Sequence, residues 1–348
     1  MDKRITAGIF SMIYISLFFL VGVFSMRVFA TIVFSIGMVL VVKLLSKNLM
    51  SFFKMPQKLS ISLSLIIIFT GLAFLMFFLV PMVFGEVRNF VIFINNFFEN
   101  REWEGLFNGT TNFLEFESNV FPEIEKNFSE YLASLQPKVI EFFNQWIAEL
   151  PKIGQQLGSF FFFHILITIY LSFYFDTFKA NIHKIYPKYT RTVATNFLKD
   201  LHVNLNNFVI STIFASLFVG VGAFIAMNIL DIRYSLLLSF WAGLTNFIPI
   251  VGVVFEFIPL IIVGISSGLV KMLILLIVMS ILHGAAFIFF LYIMKGKARI
   301  NPVGVILSIL VFGAAFGFIG SLIAAPSSLV IKVLWNHYVQ PQLDSKVN

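Results

Sequence analysis

The chain has 348 residues, 59% hydrophobic and only 12% charged, with a mean hydropathy of +0.95. A soluble globular chain is about 45–50% apolar and about 25% charged, so a wholly water-soluble protein is excluded and lipid must solvate part of the surface. The net charge of +7 does not signal nucleic acid, because the basic residues sit in short segments between apolar runs, as the positive-inside rule places them.

A membrane span needs roughly 20 apolar residues. Ile5–Met26 meets this, and it is too long for the h-region of a secretory signal. Arg27 breaks the run, Val28–Val42 follows, and Leu59–Val80 is a third span that Pro81 is expected to stop. Phe160–Phe175 and Phe208–Met227 are the fourth and fifth. Tyr234–Ile248 and Val251–Gly264 are each short for a crossing, Met272–Tyr292 is long and continuous, and Val303–Ala325 ends at Pro326. The fold class is all-α, a polytopic integral membrane protein with about eight transmembrane helices if the short pair is one hairpin, or nine if each spans.

Orientation follows from the Lys and Arg of short loops. Lys43, Lys47, Lys54 and Lys58 place the loop after the second span in the cytoplasm, together with the N-terminus. Residues 85–156 then lie outside, an acidic segment with eleven Glu against five Lys or Arg. Lys179, Lys184, Lys188, Arg191 and Lys199 return to the cytoplasm. A hairpin over 234–264 keeps Lys295, Lys297 and Arg299 inside as well, which is the reason to prefer it over two spans.

The outer segment reads as two amphipathic helices. Val83, Val87, Phe90, Val91, Ile94, Phe97 and Phe98 fall at helical 3/4 spacing, and Phe121–Ile153 repeats the pattern. Asn100–Asn112 reads as a turn between them. The pair could pack together, lie on the membrane or join partner subunits. Pro187–Asn207 is a third amphipathic stretch. Four sections result: 1–82 with three spans, 83–156 as the outer insert, 157–207 with the fourth span and a cytoplasmic amphipathic helix, and 208–348 as a transport core.

The window Asn246 to Pro259 is the most informative. Pro249, Gly252 and Pro259 fall within it, between the two undersized segments. Proline removes a backbone N–H and clashes with the preceding turn. Freed backbone groups persist at membrane depth only where protein buries them or water reaches them, and transporters bind substrate at such interruptions. The alternative is a kink with no ligand. Glu256 lies inside the window. A carboxylate at mid-membrane costs roughly 2.5–3.5 kcal/mol and must be protonated, paired or wetted. It is a candidate coupling or substrate group, unless the hairpin is shallow. Lys271 is a candidate partner, and Asn246 a neutral hydrogen-bonding one.

Asn301 and Pro302 precede the last run, and Pro326 ends it. Gly313 and Gly317 have the spacing that lets helix backbones approach, with Gly320 following; a second broken element is the alternative. His164, His183, His202 and His283 lack metal-ligand spacing, so no metal or cofactor is expected and the histidines read as structural. The absence of cysteine removes disulfides and thiolate sites. No P-loop, G-x-S-x-G or H-E-x-x-H motif occurs, which argues against nucleotide-driven pumping and hydrolase chemistry.

The layout, together with Asn246-Phe247-Ile248-Pro249-x-x-Gly252, Asn301-Pro302-Val303 and the run from Gly317 to Pro326, resembles the autoinducer-2 exporter-like (AI-2E) transporter family over nearly the whole chain. Val253, Glu256, Leu205-Asn206-Asn207 and Asn301 depart from that family's usual pattern. The resemblance implies a non-enzymatic secondary transporter of the bacterial cytoplasmic membrane, homo-oligomeric, exporting a small polar solute such as autoinducer-2 or exchanging a monovalent cation such as sodium for protons. A non-transporting scaffold is the rival of another class.

Overall fold

The computed structural model describes residues 3–100, 120–248, 251–294 and 302–344. Helices follow one another along the chain: α1 Lys3–Phe24, α2 Met26–Phe53, α3 Gln57–Phe74, α4 Val80–Glu99, α5 Val120–Asn181, α6 Arg191–Ile229, α7 Ser235–Thr245, α8 Val251–Ser266, α9 Leu269–Ile293, α10 Pro302–Leu334 and α11 Gln340–Asp344. Among the described residues there is no strand, and seven helices are long and apolar enough to cross a membrane. The protein is an all-α, multi-pass membrane protein. Apolar side chains left exposed along α9, such as Ile277, Ile281 and Ile288, make a face that water would not tolerate and lipid does.

Three boundaries differ from the sequence reading. Pro81 does not stop the third span; a π turn at Leu75–Leu79 leads into α4, which carries Pro81 in its first turn. The amphipathic stretch before the fifth span is continuous with it as α6. Pro326 lies inside α10, and the break comes earlier, at Gly317. A second π turn, Trp335–Val339, precedes Pro341. Each π turn ends two residues before a proline. Widening the helix there relieves the clash between the proline ring and the carbonyl four residues back.

Two compact units divide the chain: 1–73, 157–214 and 289–348 form one, and 74–156 with 215–288 form the other. In the first, α1 and α2 are joined through Ser25, whose side chain accepts from Val28 N–H. Ser11 Oγ is 3.0 Å from Tyr186 Oη and donates to Tyr338 Oη, fixing α1 against both. The buried Ser35 hydroxyl lies 2.9 Å from His164 Nδ1, and Lys43 and Gln57 both donate to Asp176 Oδ2 at 2.7 Å. His164 therefore has a structural partner on α2.

In the second unit, all seven apolar positions of the 83–98 pattern are buried. All but Val91 form one core with Val219, Met227, Ala242, Leu260, Val263, Leu275 and Met279. The amphipathic face is spent on the unit's own core. For the 121–153 repeat, most apolar side chains lie outside the described residues, though Val139 and Ile140 pack against this core. The turn expected over 100–112 is also outside them, beyond Asn100. The core holds α7 close to α6, because Gly220 and Gly243 face each other.

The start of α7 needs help from outside. Its N-cap is Tyr234, in the left-handed region at φ 60°, with no side-chain cap. Glu86 of α4 supplies it, its Oε2 accepting from Leu237 N–H at 2.8 Å. A carboxylate at a helix N-terminus satisfies an orphan donor and favours the helix dipole. Substituting Glu86→Ala is expected to cost about 1 kcal/mol, as for loss of a helix cap, and to speed amide exchange at Leu237. Thermal unfolding and hydrogen exchange of the purified protein measure both.

Candidate functional site

The site is built on α7 and α8. Their lengths, 11 and 16 residues, correspond to about 16 and 24 Å, both short of about 30 Å of hydrocarbon. Asn246 ends α7, its N–H bonding to Ala242 O at 3.1 Å, and Gly252 N–H bonds to Ile248 O at 2.9 Å across the connection. Pro249 lies outside the described residues. A Cβ at Gly252 would run into the Thr245 carbonyl. Only glycine lets the first turn of α8 sit on the last turn of α7.

Pro259 lies inside α8 and has no N–H to offer the Phe255 carbonyl four residues back. That carbonyl accepts instead from the Trp241 indole N–H at 3.0 Å. A bond lost within one helix thus becomes a bond between the two. Phe255, Ile258 and Pro259 line an apolar cavity of about 180 Å³ together with Trp241.

Glu256 is turned away from that cavity. Its side chain is 1% exposed, and its Oε2 lies 3.0 Å from His283 Nε2 on α9, itself 14% exposed. Among the described residues Oε1 has no hydrogen-bond partner. His283 falls within about 3 Å of the midpoint of α9 along its axis. Lys271, the partner considered from sequence, starts about 18 Å earlier on the same helix and pairs at 4.0 Å with Asp231. A buried carboxylate beside an imidazole can hold one proton as a neutral pair or an ion pair, and can gain or lose a second. The two side chains form one buried hydrogen-bonded pair.

His283 read as structural from sequence, because no motif surrounds it. The usable signal was elementary: an ionisable residue within a span faces the protein interior and pairs, and between 251 and 294 the acid and base choices are Glu256, Lys271 and His283. Choosing between Lys271 and His283 required knowing how far along α9 the helix α8 reaches.

The later run is also bent back on itself. Gly317 has φ 63° and ψ −148°, a region closed to other residues, and it divides α10 into two arms. A Cβ on Gly320 would meet the Phe312 carbonyl, and one on Gly313 would meet Ser321 Oγ. Gly317 is thus the break, while Gly313 and Gly320 serve close packing between the arms. Pro302 opens the first arm, and Asn301 lies outside the described residues.

Removing one member of a buried pair leaves the other uncompensated, at a cost of about 3–5 kcal/mol, whereas replacing both by apolar groups is often neutral. His283→Ala is expected to lower stability by that order, and the double variant Glu256→Leu with His283→Leu to recover most of it. Thermal unfolding in detergent measures this, and additive losses would contradict the pairing.

Comparison with known proteins agrees with this architecture. The model of a family described as "AI-2E family transporter" matches residues 8–340. A "Putative transport protein" of Thermotoga maritima is 29% identical, with 97% of this chain and 96% of that protein covered. A second "Putative transport protein" of the same organism is 25% identical over 95% and 97%. The "Putative transport protein YrrI" of Bacillus subtilis is 26% identical over 51% of this chain and 52% of its own length. With nearly its whole length matched by the family model, the chain belongs to the AI-2E family of membrane transporters.

Proposed function

We propose that this protein is a secondary exporter of a small polar solute, driven by proton exchange at Glu256 and His283. The supporting observation is the buried pair itself: one carboxylate oxygen 3.0 Å from an imidazole nitrogen, the other without a partner among the described residues. An isolated buried carboxylate is costly, and a pair offers no stability advantage over apolar residues of the same size. A coupling role accounts for its presence. The broken hairpin supplies the rest: Asn246 ends its first helix, and Gly252 and Pro259 lie in its second; Pro249 falls between them in sequence, and Asn301 and Pro302 stand at the start of the second interrupted run.

In this reading residues 208–348 are the transport core and 83–156 an extracytoplasmic insert. The N-terminus faces the cytoplasm of a bacterial cell, and the chain works as a homo-oligomer in the cytoplasmic membrane. The solute is an autoinducer-2-like signal, as the family name suggests. There is no catalytic step and no cofactor.

Reconstitution into liposomes tests this. With an outward autoinducer-2 gradient, an internal pH dye is expected to report proton entry dependent on the protein. Glu256→Gln is expected to reduce that movement at least tenfold, and His283→Gln to shift its pH profile. Proton movement driven by sodium but not by solute would favour a cation–proton antiporter. No flux from folded protein would favour a scaffold. Unchanged flux and pH profile in Glu256→Gln would remove the coupling role.

A further inference from the structure

The first unit contains a polar cleft that the hairpin site does not use. Its volume is about 360 Å³, within the range of small-molecule sites. Asn196, Asp200 and Asn204 line one side at four-residue intervals, so they share one face of α6. Asn336 and His337, on the π turn, line the other, and Arg4 of α1 closes an edge.

Two features point to a ligand. The first is backbone. The Gln340 N–H bonds to Trp335 O, the five-residue pattern of the π turn, and Pro341 has no N–H. The carbonyl of Asn336, a residue lining the cleft, thereby loses both donors that an α or π turn would give it. The second is the division of labour among side chains. The charged groups have partners: Asp200 Oδ2 is 3.3 Å from His337 Nε2, and Arg4 is not free either. The carboxamides remain. Asn204 spends one N–H on the Asp200 carbonyl at 2.7 Å. Its oxygen, and both ends of Asn196 and Asn336, keep their capacity among the described residues. A carboxamide places a donor and an acceptor side by side, which matches a pair of neighbouring hydroxyls.

We propose that this cleft binds a small, uncharged, polyhydroxylated solute through Asn196, Asn204 and Asn336. The formal charges of Arg4 and Asp200 cancel, so an ionic ligand gains nothing net. The cleft lies beside Lys199 and the basic segment before α6, the end that the proposed orientation puts in the cytoplasm, and it is the loading site for export. That role rests on the transport reading; the binding does not.

Calorimetry on the purified full-length protein, with erythritol and myo-inositol as probes and inorganic phosphate and lysine as charged controls, decides the matter. At least one polyol is expected to bind, at least tenfold more tightly than either control. The double variant Asn196→Ala with Asn336→Ala is expected to weaken that binding tenfold or more while keeping its unfolding temperature. No binding by either polyol, tighter binding of phosphate or lysine, or unchanged affinity in the variant would each overturn the proposal. If proton flux persists while polyol binding fails, this proposal falls alone; if binding holds without flux, the coupling reading falls alone.

Discussion

The contact between Glu256 and His283 organises the second unit. A carboxylate within an apolar helix layer must find a partner or lose its charge, and here one imidazole supplies that partner at 3.0 Å. For the pair to form, α8 must lie against α9 near its middle. For α8 to lie there, the chain must turn sharply after α7, which requires a residue without a side chain where α8 meets the Thr245 carbonyl. Gly252 is that residue. Pro259 then frees the Phe255 carbonyl that Trp241 takes up, and Glu86 holds the other end of α7. The apolar face of α4 covers the assembly. Each step answers a backbone or charge requirement that hydrocarbon would leave unmet.

The same device appears in the first unit. There Gly317 makes the turn and Gly320 seats the returning arm on the Phe312 carbonyl, as Gly252 does on Thr245. In both places a glycine early in the returning helix touches a backbone carbonyl near the end of the outgoing one. Prolines act at neighbouring points, within α8 at Pro259 and within α10 at Pro326, and after the π turns at Pro81 and Pro341. Interrupted helices are therefore repeated and tightly specified elements of this fold.

Much of this was legible in the sequence, and the exceptions have physical causes. The spans, the hairpin window and the buried face of α4 follow from hydropathy and from 3.6-residue periodicity, which are local properties. Pro81 and Pro326 misled because a π turn, or a helix packed on its neighbours, can absorb a proline that would end an isolated helix. Gly317 looked like half of a packing motif, since spacing alone does not distinguish a glycine that packs from one that turns. The partner of Glu256 was hidden for a different reason. Lys271 and His283 differ only in how far along α9 they lie, and that distance is set by the tertiary fit of α8.

The central claim is that Glu256 and His283 share and exchange a proton inside the protein. Infrared difference spectroscopy across a pH step observes this directly through the carbonyl stretch of a protonated carboxyl. The account predicts a pH-dependent band that vanishes in Glu256→Gln and moves in frequency and midpoint in His283→Gln. A spectrum in which no carboxyl band is lost on replacing Glu256, or in which the Glu256 band is indifferent to His283, would contradict it.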